Sequence, residues 1–175
     1  MAYTKIATVN VGTATASISF TSIPGTFTDL FIITNEKSTT NTDTLNTLAI
    51  NTASDYHSVY AGNRLGVGGG GAATNPTNGT YGYQGALSTN TFANNQIYIT
   101  NYANSLNKVM WNMSTGVTND MSVATNVWVS LHEITATTTA AITSITLTMG
   151  SGNFAVGSNF NLYGVLKGSG GGTIS

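Results

Sequence analysis

The sequence predicts an all-β protein, a single-domain antiparallel β-sandwich most simply wound as a jelly roll, with flexible terminal arms. Three observations carry that expectation. Apolar residues recur at alternate positions in runs of strand length, turn-forming residues separate those runs, and Thr replaces the Glu, Lys, Arg and Gln that usually clothe helices. The chain is long enough for one domain with a sizeable core, and no internal repeat divides it. Residues 1–167 are expected to form the sandwich and 168–175, GSGGGTIS, a flexible tail.

Tyr3 to Val11 opens the chain as a strand, and Ser17 to Phe20 follows with Ile18 and Phe20 on one face. Ser22-Ile23-Pro24-Gly25-Thr26 reads as a turn, Pro24 presetting φ and Gly25 tolerating the left-handed conformation. Asp29 to Thr34 carries a continuous apolar run, the pattern of a central strand buried on both faces. Leu45 to Ile50 and Tyr56 to Leu65 come next, joined by a polar link. Gly66 to Thr80 breaks the rhythm. Its four consecutive glycines and its Asn-Pro-Thr-Asn-Gly-Thr sequence give little to bury, so it reads as a long exposed loop with a tight turn at Asn78-Gly79.

Strands resume at Tyr81 to Leu87 and Gln96 to Tyr102. Lys108 to Ser114 sets Val109, Trp111 and Met113 on one face against Lys108, Met110 and Asn112. Thr125 to Leu131 sets Val127, Val129 and Leu131 against Trp128, and Ile142 to Met149 and Phe160 to Leu166 complete the pattern. Some eight to ten strands are expected, each giving one face to the core and showing Thr, Ser or Asn on the other.

Composition narrows the function. Lys and Arg number 5 and Asp and Glu 6, so charged residues make 6% of the chain, against about 25% in a typical domain. A nucleic-acid binder needs a field of positive charge, and a net charge of -1 offers none. No run approaches the roughly 20 apolar residues of a membrane helix, and no secretory signal is visible, so synthesis in a cytoplasm without export is expected. Without cysteine there is no disulfide, thiolate nucleophile or Cys-ligated metal.

Candidate chemistry is sparse. His132 and Glu133 are neighbours on a strand and point to opposite faces, so they cannot chelate one ion, and His57 has only Asp55 nearby. Both histidines are expected at the surface or an edge, bonded locally. Six carboxylates exist, Asp29, Glu36, Asp43, Asp55, Asp120 and Glu133, but their spacing does not favour an acid–base pair; Asp29 is expected to secure the Pro24 turn. The Gly66 to Gly71 run lacks the Lys and following helix of a phosphate loop. No catalytic residue, metal ligand or cofactor is assigned, and the protein is expected not to be an enzyme. Tyr81, Tyr83, Phe92, Tyr98 and Tyr102, among many Asn and Gln, suit a core or a subunit interface first and a glycan second.

Both ends of the chain resemble short bacteriophage virion proteins, especially those of cyanophages and marine phages. The resemblance rests on Tyr3-Thr4-Lys5-Ile6-Ala7-Thr8-Val9, on Phe20-Thr21-Ser22-Ile23-Pro24-Gly25-Thr26-Phe27-Thr28-Asp29-Leu30 and on Phe160-Asn161-Leu162-Tyr163-Gly164-Val165-Leu166-Lys167. These stretches cover under a fifth of the chain and leave its middle unmatched. The resemblance implies a trimeric β-sandwich on the outer surface of a phage particle, either a capsid decoration (cement) protein or part of a tail fibre or receptor-binding tip. Its implied partners are further copies of itself, the major capsid protein or other virion proteins, and host surface glycan; neither nucleic acid nor membrane insertion is expected. In the decoration reading, terminal arms carrying Met1, Ala2, Tyr3, Lys5, Lys167, Thr173 and Ile174 contact the shell. In the fibre reading, the central loop with Val67, Asn75, Asn78, Tyr81 and Tyr83 reads a glycan.

Overall fold

In the computed structural model, residues 2–41, 44–51, 53, 55–64, 67–75, 78–83, 91–117 and 127–167 are described. Twelve strands and no helix occur among them: β1 (Ala2–Asn10), β2 (Ser17–Phe20), β3 (Asp29–Glu36), β4 (Leu45–Ile50), β5 (Tyr56–Arg64), β6 (Val67–Asn75), β7 (Gly79–Tyr83), β8 (Ala93–Ile99), β9 (Lys108–Val117), β10 (Val127–Ala136), β11 (Ile145–Thr148) and β12 (Asn159–Leu166). They form two antiparallel sheets, ordered β1-β12-β3-β8-β9-β10-β5-β6 and β2-β11-β4-β7, so the all-β sandwich read from the sequence is the fold.

The sheets share one apolar core. Leu30, Ile32, Ile97, Ile99, Phe160 and Leu162 from the larger sheet meet Ile18, Phe20, Leu48, Ile50, Ile145 and Leu147 from the smaller. In each strand these are alternate residues, as a period of two requires. Removing this much apolar surface from water is the main force holding the layers together. Phe154 and Phe160 pack edge to face within it, 4.8 Å between centroids.

Eight strands make a self-contained sandwich. They divide evenly between the sheets: β1, β3, β8 and β12 lie side by side in one, and β2, β4, β7 and β11 in the other. Two pairs are added to this body. β5 and β6 enter between β4 and β7, β9 and β10 between β8 and β11, and all four extend the larger sheet beyond β8. Among the described residues the smaller sheet has no equivalent extension.

Several sequence expectations are corrected here. The stretch expected as an exposed loop holds β6, paired without a register shift to β5 from Tyr56↔Asn75 to Arg64↔Val67; glycines pair through their backbones whether or not they have side chains to bury. Gly79 starts β7, so no hairpin turn sits at Asn78-Gly79. In the Pro24 turn the left-handed residue is Ser22, with φ 55°, and not Gly25. Tyr102 holds that turn by donating its hydroxyl to the Pro24 carbonyl, while Asp29 faces elsewhere. The N-terminal residues Ala2, Tyr3 and Lys5 are strand, paired with β12 through a bulge between Lys5 and Ala7, and not a free arm.

Candidate functional site: an apolar face on the added hairpins

Burial on β9 and β10 is the reverse of the usual arrangement. Lys108, Met110, Asn112, Ser114, Trp128, Ser130 and His132 point inward, while Val109, Trp111, Met113, Val127, Val129 and Leu131 point to solvent. The alternation was legible in the sequence, but the expectation that Thr, Ser and Asn would face outward fails at Asn112, Ser114 and Ser130, while Thr115 does face out.

The cause lies in β7. Its Cα atoms come within 8 Å of those of β9 and β10, closer than the ~10 Å usual between stacked sheets. Gly79 and Gly82 permit that approach: a Cβ on Gly82 would stand 2.7 Å from Ser114 Oγ. Because β7 ends its sheet, buried backbone groups along its free edge need partners between the layers. The larger sheet supplies them. Ser58 Oγ accepts from the Thr80 N–H at 3.1 Å, and Asn112 Nδ2 donates to the Tyr81 carbonyl. Polar side chains must therefore face inward on β9 and β5, and strand geometry sends their apolar neighbours out.

The interlayer also holds two titratable groups. Glu36 is fully buried and accepts hydrogen bonds from the Tyr81 hydroxyl at 3.0 Å and from Asn46 Nδ2. Burial pushes its carboxyl up to about 7 against those bonds. His132, expected at the surface, is fully buried on a strand flanked by β9 and β5; its Nε2 lies 2.9 Å from Ser130 Oγ and its ring stacks on Tyr60. Burial pushes it down to about 4, with a hydrogen bond to the Thr80 backbone opposing. Tyr81, expected on an exposed binding loop, is wholly buried.

On the outside, cross-strand register assembles the exposed apolar residues into one patch. Trp111 stands opposite Glu133 and Glu133 opposite Val59; Met113 opposite Leu131 and Leu131 opposite Ala61; Thr115 opposite Val129; Val117 opposite Val127. Two grooves cross it, of ≈ 420 Å³ between Gly62, Met113 and Val129 and ≈ 650 Å³ between Val59, Val109, Trp111 and Glu133. The same rows change character on the eight-strand body. Asn10, Asn159, Asn35 and Asn94 lie in register across four strands, with Asn159 Nδ2 donating to Asn10. An aromatic row crosses the larger sheet from β1 into the patch, Tyr3–Phe31–Tyr98–Trp111, with centroids 5.8, 6.1 and 5.7 Å apart.

The remaining sequence candidates are scattered. Val67 and Asn75 end β6, Tyr83 ends β7, and Asn78 precedes it half-buried. Ala2, Tyr3 and Lys5 lie at the opposite edge of the larger sheet, far from these in strand order. Lys167 is not a free arm residue: its ammonium pairs with Asp29 at 2.9 Å. Met1, Thr173 and Ile174, with the 168–175 tail, lie outside the described residues, as do Asp43 and Asp120. No group of three or more His, Cys, Asp or Glu that could hold a metal ion occurs among the described residues, and no helix is long and apolar enough to cross a membrane.

Compared with known proteins, the chain matches no family model, no curated protein and no solved structure.

Proposed function

We propose that this protein is a structural component of a bacteriophage particle, a homotrimeric capsid decoration protein that clamps adjacent major capsid subunits and stabilises the head. The observation that carries the reading is a neutral two-layer sandwich presenting a contiguous apolar sheet face, a surface built for contact area. The strand order supports the jelly-roll expectation: with the hairpins β5–β6 and β9–β10 set aside, each four-stranded sheet draws its strands in the sequence such a roll requires. The terminal-segment resemblance supplies the phage context. Immunogold labelling of phage particles carrying the protein tests the placement. Label over the whole head, with heads lacking the protein failing at milder heat or osmotic shock, is the expected result; label confined to the tail sinks it.

One observation favours a tail-fibre or receptor-binding reading. The aromatic row beside Asn94, Gln96 and Asn161 combines apolar rings with amide groups, the pairing that suits a sugar. Host-cell adsorption by a Tyr98→Ala, Trp111→Ala variant separates the two: adsorption falls in the fibre reading and is unchanged in the decoration reading.

A further inference from the structure

We propose that the outer face of the added strands β5, β9 and β10 is the surface through which copies of this chain bind one another. The inference rests on the assembly reading above and names the partner at that face.

The patch is too large to be incidental. Val59, Val109, Trp111, Met113, Val127, Val129 and Leu131 are each between 39% and 57% exposed. Together they make a contiguous apolar surface of roughly 600 Å², the upper end for a monomer. A stable interface takes about 800 Å² from each partner, which the intervening Ala61 and Thr115 and the adjoining Tyr98 bring within reach. One row of four asparagines, Asn10, Asn159, Asn35 and Asn94, on the same sheet shows that a polar outer face was available to this sequence. It is used on the eight-strand body and abandoned on the hairpins.

The occupant follows from the chemistry of the patch. Glu133 is its only charged side chain among the described residues, so it offers no field to select a charged partner. Further copies bring the same uncovered apolar area, and packing the faces of three copies around the axis of the proposed trimer covers all of them. The placement fits: the added strands widen the larger sheet on the side away from β1 and β12, and β7 packs on the inner side of β9 and β10, so the outer face is the one left uncovered.

The test uses purified full-length protein, so it is read independently of any position on a virion. Light scattering across a dilution series is expected to give a mass about three times 18.1 kDa for the wild type at its upper concentrations. Leu131→Lys is expected to run as monomer over the same range with an unchanged circular dichroism spectrum. Since the chain has no cysteine, Val129→Cys adds a second readout that does not depend on the charged variant folding. Its thiol should react with a maleimide at least about tenfold more slowly in the assembled state than after dilution, while Val156→Cys, exposed and off the face, reacts fast in both. A wild type that stays monomeric at about 100 µM overturns the proposal. So does a Val129→Cys thiol as reactive as Val156→Cys at every concentration.

Discussion

Tyr81 and Glu36, 45 residues apart in the chain, meet between the two sheets, the phenol donating to the carboxylate at 3.0 Å. Tyr81 belongs to β7 and Glu36 to β3, so the bond ties the smaller sheet's edge strand to the larger sheet. It also fixes an acid where water cannot solvate its charge, and that has consequences for stability.

Glu36 stays protonated in the fold up to about 7, against an ordinary 4.5, so the stability it contributes is complete below pH 4.5 and is lost as pH rises towards 7. His132 acts in the opposite sense. It stays neutral in the fold down to about 4, against an ordinary 6.5, so its contribution is complete above pH 6.5 and is lost as pH falls towards 4. Between those limits the two slopes cancel, and the urea midpoint of the wild type should be flat from about pH 4.5 to 6.5. Glu36→Gln should uncover a rise of about 1.4 kcal/mol per pH unit over that window, and His132→Gln a fall of similar slope. A steep wild-type profile there would contradict the pairing.

Asp29 anchors the end of β12. It accepts from Tyr98 Oη at 2.6 Å and the Asn101 N–H at 2.8 Å, and it pairs with Lys167. Burial pushes its carboxyl up, but the bonds from Lys167, Tyr98 and Asn101 outweigh that and hold it below the ordinary range. Asp29→Asn is expected to cost roughly 2 kcal/mol in denaturant unfolding near neutral pH, a difference that fades as pH falls through the acid range and the native carboxylate is itself protonated. Lys167→Met, removing a half-exposed partner, should cost under about 1 kcal/mol. Equal losses for the two would show that the buried bonds are not the larger part.

The close seat of β7 predicts two sensitive positions. Gly82→Ala forces its methyl against Asn95 and Ser114 and is expected to cost about 1–3 kcal/mol. Asn112→Leu leaves the Tyr81 carbonyl without that donor and should cost a similar amount by chemical denaturation, although it makes the inner face more apolar. A stabilised Asn112→Leu variant would refute the account of why polar groups face inward.

Asn51 bolts the β4 end to the segment before β11. Its Oδ1 accepts from the Thr143 N–H at 2.8 Å and the Ser144 N–H at 3.0 Å, its Nδ2 donates to the Ala141 carbonyl at 2.7 Å, and its φ is 45°. Asn51→Asp keeps the acceptor, and Asn tolerates that φ better than Ala. Thermal unfolding should therefore rank Asn51→Ala well below Asn51→Asp, by about 1–2 kcal/mol; equal midpoints would remove the role.

Strand by strand, the sequence located Ser17 to Phe20 and Leu45 to Ile50 at the bounds that fold, and it showed which residues share a face on β9 and β10. Those features are local, since a period of two and a turn residue act within a few positions. It missed β6, whose pairing depends on backbone groups that glycine supplies as well as any residue. It placed His132 at the surface or an edge, because its burial depends on β7, a strand far away in the chain, lying across β9 and β10.

Alternation, fixed by the sequence alone, divided β9 and β10 into one face rich in apolar residues and another that mixes Met110, Trp128 and Ile134 with Lys108, Asn112, Ser130 and His132. Which of them turned inward was settled only by tertiary structure. The free edge of β7 required hydrogen-bond partners in a place without water, the polar residues supplied them, and Trp111, Val129 and Leu131 were left facing out.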